Sequence, residues 1–247
     1  MRLFHCDVCG GIVAFAALEC PTCGAATGYD TVERTLRAIT PTGDPSVFAI
    51  GGDGNDGRLA WRCLNAAWGC NWLVPVGSDS EWCRSCRLTR GRPDVGRPDA
   101  IDAWVVAEAA KRRVVHQLDD LALPITAWSE SAPDGVAFDL VHIPGQGGIT
   151  GHSGGIVTLD LAEIDERHRD DLRRLLGEPF RTVIGHLRHE LGHHYFARLV
   201  GQSDHLKQFR RLFGDERDDY GPAIERHYAV GEHAWDSTRH VTAYATS

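Results

Sequence analysis

No cysteine follows Cys86 in this chain of 247 residues, and all eight lie before residue 87. A disulfide framework stapling the whole fold is thereby excluded, and cysteines clustered in this way in a reducing compartment point to metal. No apolar run approaches the roughly 18 residues of a membrane span. The start, MRLFHCDVCGGIVAFAALECP, places cysteines where a signal peptide needs its apolar stretch. The expectation is a cytoplasmic protein with no membrane partner. A basic excess is also missing. The net charge is −8, and because basic and acidic residues balance over 1–97, the whole acidic surplus falls on 98–247. Non-specific nucleic-acid binding needs a basic surface that displaces counterions, so nucleic acid is not an expected partner. Internal repeats beyond the cysteine pairs and low-complexity tracts are absent too.

What is present is ordinary for a globular chain: 43% hydrophobic and 24% charged residues, enough for one sizeable core and a smaller module. The Pro- and Gly-rich segment from Gly91 to Pro98 marks the boundary. The expected modules are 1–97 and 98–247.

In the first module, Cys6-Asp-Val-Cys9-Gly and Cys20-Pro-Thr-Cys23-Gly are two C-x-x-C-G knuckles. Two residues between thiolates let a tight turn grip one tetrahedral zinc, and the following glycine permits the positive φ of that turn. Cys63, Cys70, Cys83 and Cys86 form a second set, with one irregular pair and one regular C-x-x-C. Closed four-thiolate sites leave no open coordination position, so both zincs are expected to stabilise the fold or a docking platform for a protein partner. Trp61, Trp68, Trp72 and Trp82 crowd the second set, where aromatics supply the core that a small module otherwise lacks; stacking of nucleobases is the rival use.

In the second module, DAWVVAEAAKRRVVHQLDDLAL carries apolar residues at helical intervals (Val105, Val106, Ala109, Val114, Val115, Leu118), and Pro124 follows where a helix cannot continue. GVAFDLVHI and GGIVTLDL read as strands joined by a Gly-rich loop. Asp165 to Leu176 reads as a helix closed by Gly177. Pro179 suits the first turn of a further helix, striped by Val183, Ile184, Leu187, Leu191, Tyr195, Phe196, Leu199 and Val200.

That last helix carries RHELGHHYF. Positions i and i+4 share a helical face, so His189 and His193 can point at one ion, as zinc–nitrogen distances of about 2.0–2.1 Å demand. Glu190 projects about 100° round the helix, beyond ligation but within reach of a water on the metal. Gly192 leaves room for another backbone or a substrate. His186 shares the face of His189 and suits a supporting or merely satisfied role, His194 lies off it, and Gly151-His152 reads as a substrate-side loop or, more simply, a turn. The bland rival is a solvated polar helix with incidental histidines among the 13 in the chain.

The blocks TGHSGGIVTLDLAEID, GEPFRTVIGHLRHELGHHYF, FRRLFGDERDDY and VTAYA, together with CNWLVP and CRSCRLTRGRPD, resemble bacterial zinc-binding metallopeptidases with an N-terminal zinc-ribbon module. The resemblance implies an α+β fold, a zincin-like metallopeptidase domain preceded by a small double zinc ribbon, and hydrolysis of a peptide or protein substrate. It implies a catalytic zinc on His189 and His193, Glu190 as general base, and Tyr244 as a donor to the oxyanion. In the resembling family a glutamate in an H-P-x-E-D-x-A-E run supplies the third ligand. Here Ala245-Thr-Ser247 ends the chain, so the domain reads as truncated before it. Asp215 or Glu216 is the in-chain alternative, with His233 and His240 more remote. The strand GGIVTLDL is the expected sheet edge for an extended peptide. The contrasting reading is a zinc-ribbon protein- or nucleic-acid-binding protein with an inactive zincin-like domain.

Overall fold

The computed structural model describes residues 3–51, 57–94, 96–142, 151–165 and 182–219, with Gly221, Pro222, Glu225, Ala229 and Thr238. A two-residue hairpin, β1 (Phe4–His5) and β2 (Ile12–Val13), opens the chain and carries the first knuckle. Five strands follow: β3 (Thr27–Asp30), β4 (Thr35–Pro41), β5 (Val47–Ile50), β6 (Leu59–Arg62) and β7 (Leu73–Pro75). They pair antiparallel in sequence order. Motif reasoning passed over this sheet because attention to the cysteines leaves the alternating segments between them unread.

β8 (Thr89–Gly91) precedes the long helix α1 (Pro98–Asp120), in which proline occupies the first turn, and β9 (Ala137–Val141) follows it. β8 and β9 pair in parallel, so the segment around residue 97 is a β-α-β crossover. β8, from the cysteine-rich module, is therefore an edge strand of the sheet that belongs to the second one.

α1 starts before the first residue of the expected helix, and its buried face is rotated from the expected stripe. Val106 is 50% exposed, while Ala100, Ile101, Trp104, Ala107, Glu108, Lys111, Val114, Val115 and Leu118 are buried. The phase was misread because three core positions are occupied by charged residues, Glu108, Lys111 and Arg112, which an apolar count treats as solvent-facing.

β10 (Gly151–Ser153) and β11 (Ile156–Asp160) form a hairpin whose two turn glycines, Gly154 and Gly155, both have positive φ, +55° and +83°. Such a turn matches the twist of its strands, and only glycine accepts it without strain. The second sheet runs β10-β11-β9-β8, with β11 parallel to β9. GGIVTLDL is thus an internal strand, and the expectation that it forms the edge is corrected: β10 occupies that position among the described residues.

α2 (Val183–Tyr195) carries the histidine motif. Thr182, in extended conformation, accepts the Gly185 N–H at 3.0 Å and caps it; Pro179, expected in the first turn, lies outside the described residues. Val183, Leu187, Leu191 and Tyr195 are buried as the stripe requires, whereas Leu199 is exposed. α2 packs on α1, with Arg188 bonding the Gln117 side chain, and the Tyr195 hydroxyl donates to the Pro124 carbonyl in the segment after α1 at 2.9 Å. A π-helical turn over 196–200 leads to α3 (Leu206–Phe213). The expected helix over 165–176 falls almost wholly outside the described residues.

One apolar core runs from Phe4 and Tyr29 through Trp72, Val114, Phe138 and Leu159 to Leu187 and Leu191. It crosses the module boundary without a break. Tyr29 Oη lies 2.7 Å from His116 Nδ1 of α1, inside a ring cluster with Phe4, Phe15 and Trp72. No described helix is long and apolar enough to cross a membrane.

Candidate metal centres and active site

Chain geometry sorts the eight cysteines into two groups of four, Cys6/Cys9/Cys20/Cys23 and Cys63/Cys70/Cys83/Cys86. Gly10 and Gly24 follow the second cysteine of each knuckle with φ of +73° and +72°, and their N–H groups donate to the Cys6 and Cys20 carbonyls. The irregular spacing of the second set has a local cause. A 3-10 turn over Leu64–Trp68 fills the interval, and Gly69, at φ +78°, returns the chain to Cys70.

Sulfur separations identify what the groups are built for. Cys6–Cys23 and Cys9–Cys20 stand at 3.8 and 3.6 Å, and Cys70 lies 3.7 Å from both Cys83 and Cys86. Four sulfurs about 2.3 Å from a tetrahedral zinc are about 3.8 Å apart, whereas a disulfide brings them to about 2.05 Å. All eight are free thiols, and both groups fit zinc.

Proton affinities within each group diverge. Cys20 is drawn down to about 6, first by the Cys23 N–H. Cys23, although the Ala25 N–H favours its thiolate, is pushed up to about 12 by the sulfur of Cys9. In the buried group, contact with Cys70 holds Cys63 well below the usual thiol range while burial drives Cys83 well above it. Four adjacent sulfurs cannot all ionise without a cation to offset their charge.

Beside the second group lies a polar cluster that motif reading missed. Glu108 and Lys111 of α1 are 2% and 0% exposed and pair at 2.8 Å. Both also bond the Thr89 hydroxyl of β8, Lys111 Nζ sits 5.6 Å from the centre of the Phe138 ring, and Glu108 Oε2 is 3.9 Å from Cys86 Sγ. The signal was available: an i,i+3 Glu–Lys pair on a helix whose neighbouring positions are apolar.

Among the tryptophans, Trp72 is fully buried against Tyr29, as a core role requires, and Trp68 is partly exposed, edge-on to Trp104.

On α2 the motif residues separate as the helix dictates. His189 and His193 face outward and their Nε2 atoms approach to 3.2 Å. Two imidazoles on one tetrahedral zinc, each about 2.05 Å from it, hold their nitrogens about 3.3 Å apart, so the pair fits a shared ion. Glu190 is 8% exposed. No described His, Cys, Asp or Glu joins His189 and His193 as a third ligand. Asp215 and Glu216, the in-chain alternatives, are not grouped with the two histidines; they stand in ion pairs with Arg217 and Arg210. Tyr244, His233 and His240 lie outside the described residues.

His152, expected in a substrate-side loop or a turn, stands in the middle of edge strand β10. Its ring is nearly parallel to that of His193 (14°, centres 6.5 Å apart) and edge-on to His194 at 5.9 Å. Its Nε2 accepts the Gly155 N–H at 3.2 Å. Burial, then the neighbouring His193, hold its proton affinity below the usual imidazole value, while Glu190 acts in the opposite sense. His194 is buried, and His186 Nε2 lies 3.9 Å from the buried Glu163 carboxylate. The space beside Gly192 is open, with no described atom within 4 Å of where a Cβ would stand. Cavities of about 450 and 400 Å³ exist elsewhere, one around Trp82, Thr89 and Trp104, the other between α1 and Leu161; neither is lined by α2.

Comparison with known proteins adds the following. Residues 100–247 match the family described as "Putative zinc-binding metallo-peptidase", and residues 3–97 match a zinc-ribbon domain. The "Uncharacterized protein Rv2568c" of Mycobacterium tuberculosis and the "Uncharacterized protein Mb2598c" of Mycobacterium bovis are each 39% identical over 247 residues, covering 100% of this chain and 68% of the relative. No solved structure matches the chain.

Proposed function

The chain belongs to the zinc-binding metallo-peptidase family whose model it matches, and on that premise we propose that it hydrolyses peptide bonds in a peptide or protein substrate. The observation that carries this reading is the 3.2 Å approach of His189 Nε2 and His193 Nε2 on the helix that also carries the buried Glu190 carboxylate. His189 and His193 would hold the catalytic zinc. When bound, zinc supplies Lewis acidity, which makes a nucleophilic water available near neutral pH and polarises the scissile carbonyl. Glu190 takes the proton of the attacking water and passes it to the leaving amine. Its low exposure keeps competing water away from that carboxylate. Tyr244, on the strength of the family resemblance, donates a hydrogen bond to the oxyanion.

The two cysteine groups hold structural zinc, and the module of residues 1–97 serves as a rigid platform on which the domain of residues 98–247 is mounted, with room for a protein partner. The cytoplasm is the proposed location, since thiolate sites of this kind persist in a reducing compartment.

Glu190→Gln tests the mechanism. Hydrolysis of a peptide library should disappear while metal content stays unchanged; retained turnover removes Glu190 from the reaction. Metal content tests the site itself. Two zinc equivalents should resist dialysis, and a third, dependent on His189 and His193, should be held less firmly because two imidazoles bind more weakly than four thiolates. A protein that takes up only two equivalents under zinc excess has no metal on α2.

A further inference from the structure

We propose that His152 is a further catalytic residue, donating its Nδ1–H to the carbonyl oxygen of the peptide bond being cleaved and to the oxyanion that forms there. The inference rests on the peptidase reading above. An imidazole that accepts the Gly155 N–H at Nε2 carries its only proton on Nδ1, so the tautomer is set by the β10–β11 turn. In that turn Gly154 and Gly155 hold positive φ, and a Cβ on Gly155 would stand 2.1 Å from the Gly135 carbonyl oxygen.

Placement agrees with the role. His152 does not join His189 and His193 as a ligand, yet its ring lies parallel to His193 with centres 6.5 Å apart. An oxygen shared between a cation and an N–H donor separates the two by about 5 Å, from a metal–oxygen distance of about 2.1 Å and a hydrogen bond of about 2.9 Å. With their ring centres 6.5 Å apart, His152 and His193 flank the same space. β10 is also the strand edge nearest α2, so a peptide paired along it would pass His152.

The step balances with water as the only co-reactant. Water oxygen bonds to the carbonyl carbon, the C=O π pair moves onto oxygen and is met by the His152 Nδ1–H, and the water proton goes to Glu190. The C–N bond then breaks, its electron pair staying on nitrogen, which takes the proton back from Glu190.

The test compares wild type, His152→Ala and His152→Gln, each loaded with zinc and separately with Co²⁺. For His152→Ala the expected result is a loss of about 10²–10³ in kcat at nearly constant KM, the effect of removing one oxyanion donor. A phosphinic peptide, whose tetrahedral oxygen imitates the oxyanion, should lose affinity by a similar factor. His152→Gln, which keeps an N–H donor, should recover part of both. The Co²⁺ absorption spectrum without inhibitor should match wild type in both variants. Unchanged kcat and unchanged phosphinic affinity would overturn the proposal, as would a shifted Co²⁺ spectrum, which would make His152 a ligand. If Glu190→Gln shows that wild type has no hydrolysis of its own, phosphinic binding to the Co²⁺ form still decides: equal affinity in wild type and His152→Ala, or none in either, sinks the role of His152.

Discussion

Replacing Lys111 by methionine should be among the most damaging single changes in the chain. Methionine nearly preserves the side-chain volume, so the loss is electrostatic. Lys111 is fully buried, donates to Glu108 at 2.8 Å and to Thr89, and leans on Phe138. Without it the Glu108 carboxylate remains 2% exposed, unpaired and 3.9 Å from Cys86 Sγ. Breaking a buried ion pair from one side costs about 3–5 kcal/mol, whereas replacing both partners with apolar groups is often neutral. At about 2–4 °C per kcal/mol for a chain of this size, the melting midpoint should fall by roughly 6–20 °C. The carboxylate now facing a thiolate should also speed release of zinc from the second cysteine group to a chromophoric chelator. Circular-dichroism melts of Lys111→Met, Glu108→Leu and the double variant form the cycle, with the double variant expected to recover most of the stability lost by either single change. A loss under about 1 kcal/mol for Lys111→Met, or a double variant no better than the singles, would show that the pair is not an isolated charge balance in a dry site.

Gly155→Ala should destabilise by more than about 1 kcal/mol, since it imposes a strained positive φ and drives a methyl into the Gly135 carbonyl; chemical denaturation reads the loss, and a neutral result would contradict the hairpin geometry. Gly192→Ala points the other way: with nothing within 4 Å and helical φ, alanine should stabilise α2 by about 1 kcal/mol, while peptide cleavage falls if substrate passes over that face. Stripping zinc with a strong chelator should unfold β1, β2 and the knuckles, because the first group stands in for a core that few apolar residues supply; near-unchanged circular dichroism after removal of both cysteine-bound zincs would refute this. Thr182→Ala should cost about 1 kcal/mol by removing the cap of α2, measured in the same denaturation assay.

Much of the site was legible because its determinants are local. The knuckles specify their own turn through Gly10 and Gly24, and the i,i+4 spacing of His189 and His193 is converted directly into converging nitrogens by helix geometry. Other features were not legible. Val106 was placed in the core and is half exposed, because Glu108 and Lys111 take core positions only once Thr89 and Phe138 are brought against them from distant strands. His152 read as part of a turn or a substrate-side loop, since nothing in GHSGG announces that its hairpin will be the sheet edge above α2. Asp215 and Glu216 stood at a plausible distance along the chain, and spacing alone does not show that they pair with Arg217 and Arg210.

By itself, then, the sequence determined the two four-thiolate groups, the amphipathic helix with its paired imidazoles, and the family to which the chain belongs, all of which depend on contacts within a few residues or on recurring motif blocks. Tertiary structure alone decided that β8 crosses from the zinc module into the second sheet, that β10 and not β11 forms its edge, and that a buried Glu–Lys pair adjoins the second cysteine group. Those outcomes depend on which strands pair and which surfaces lose water together, and no spacing along a single segment records that.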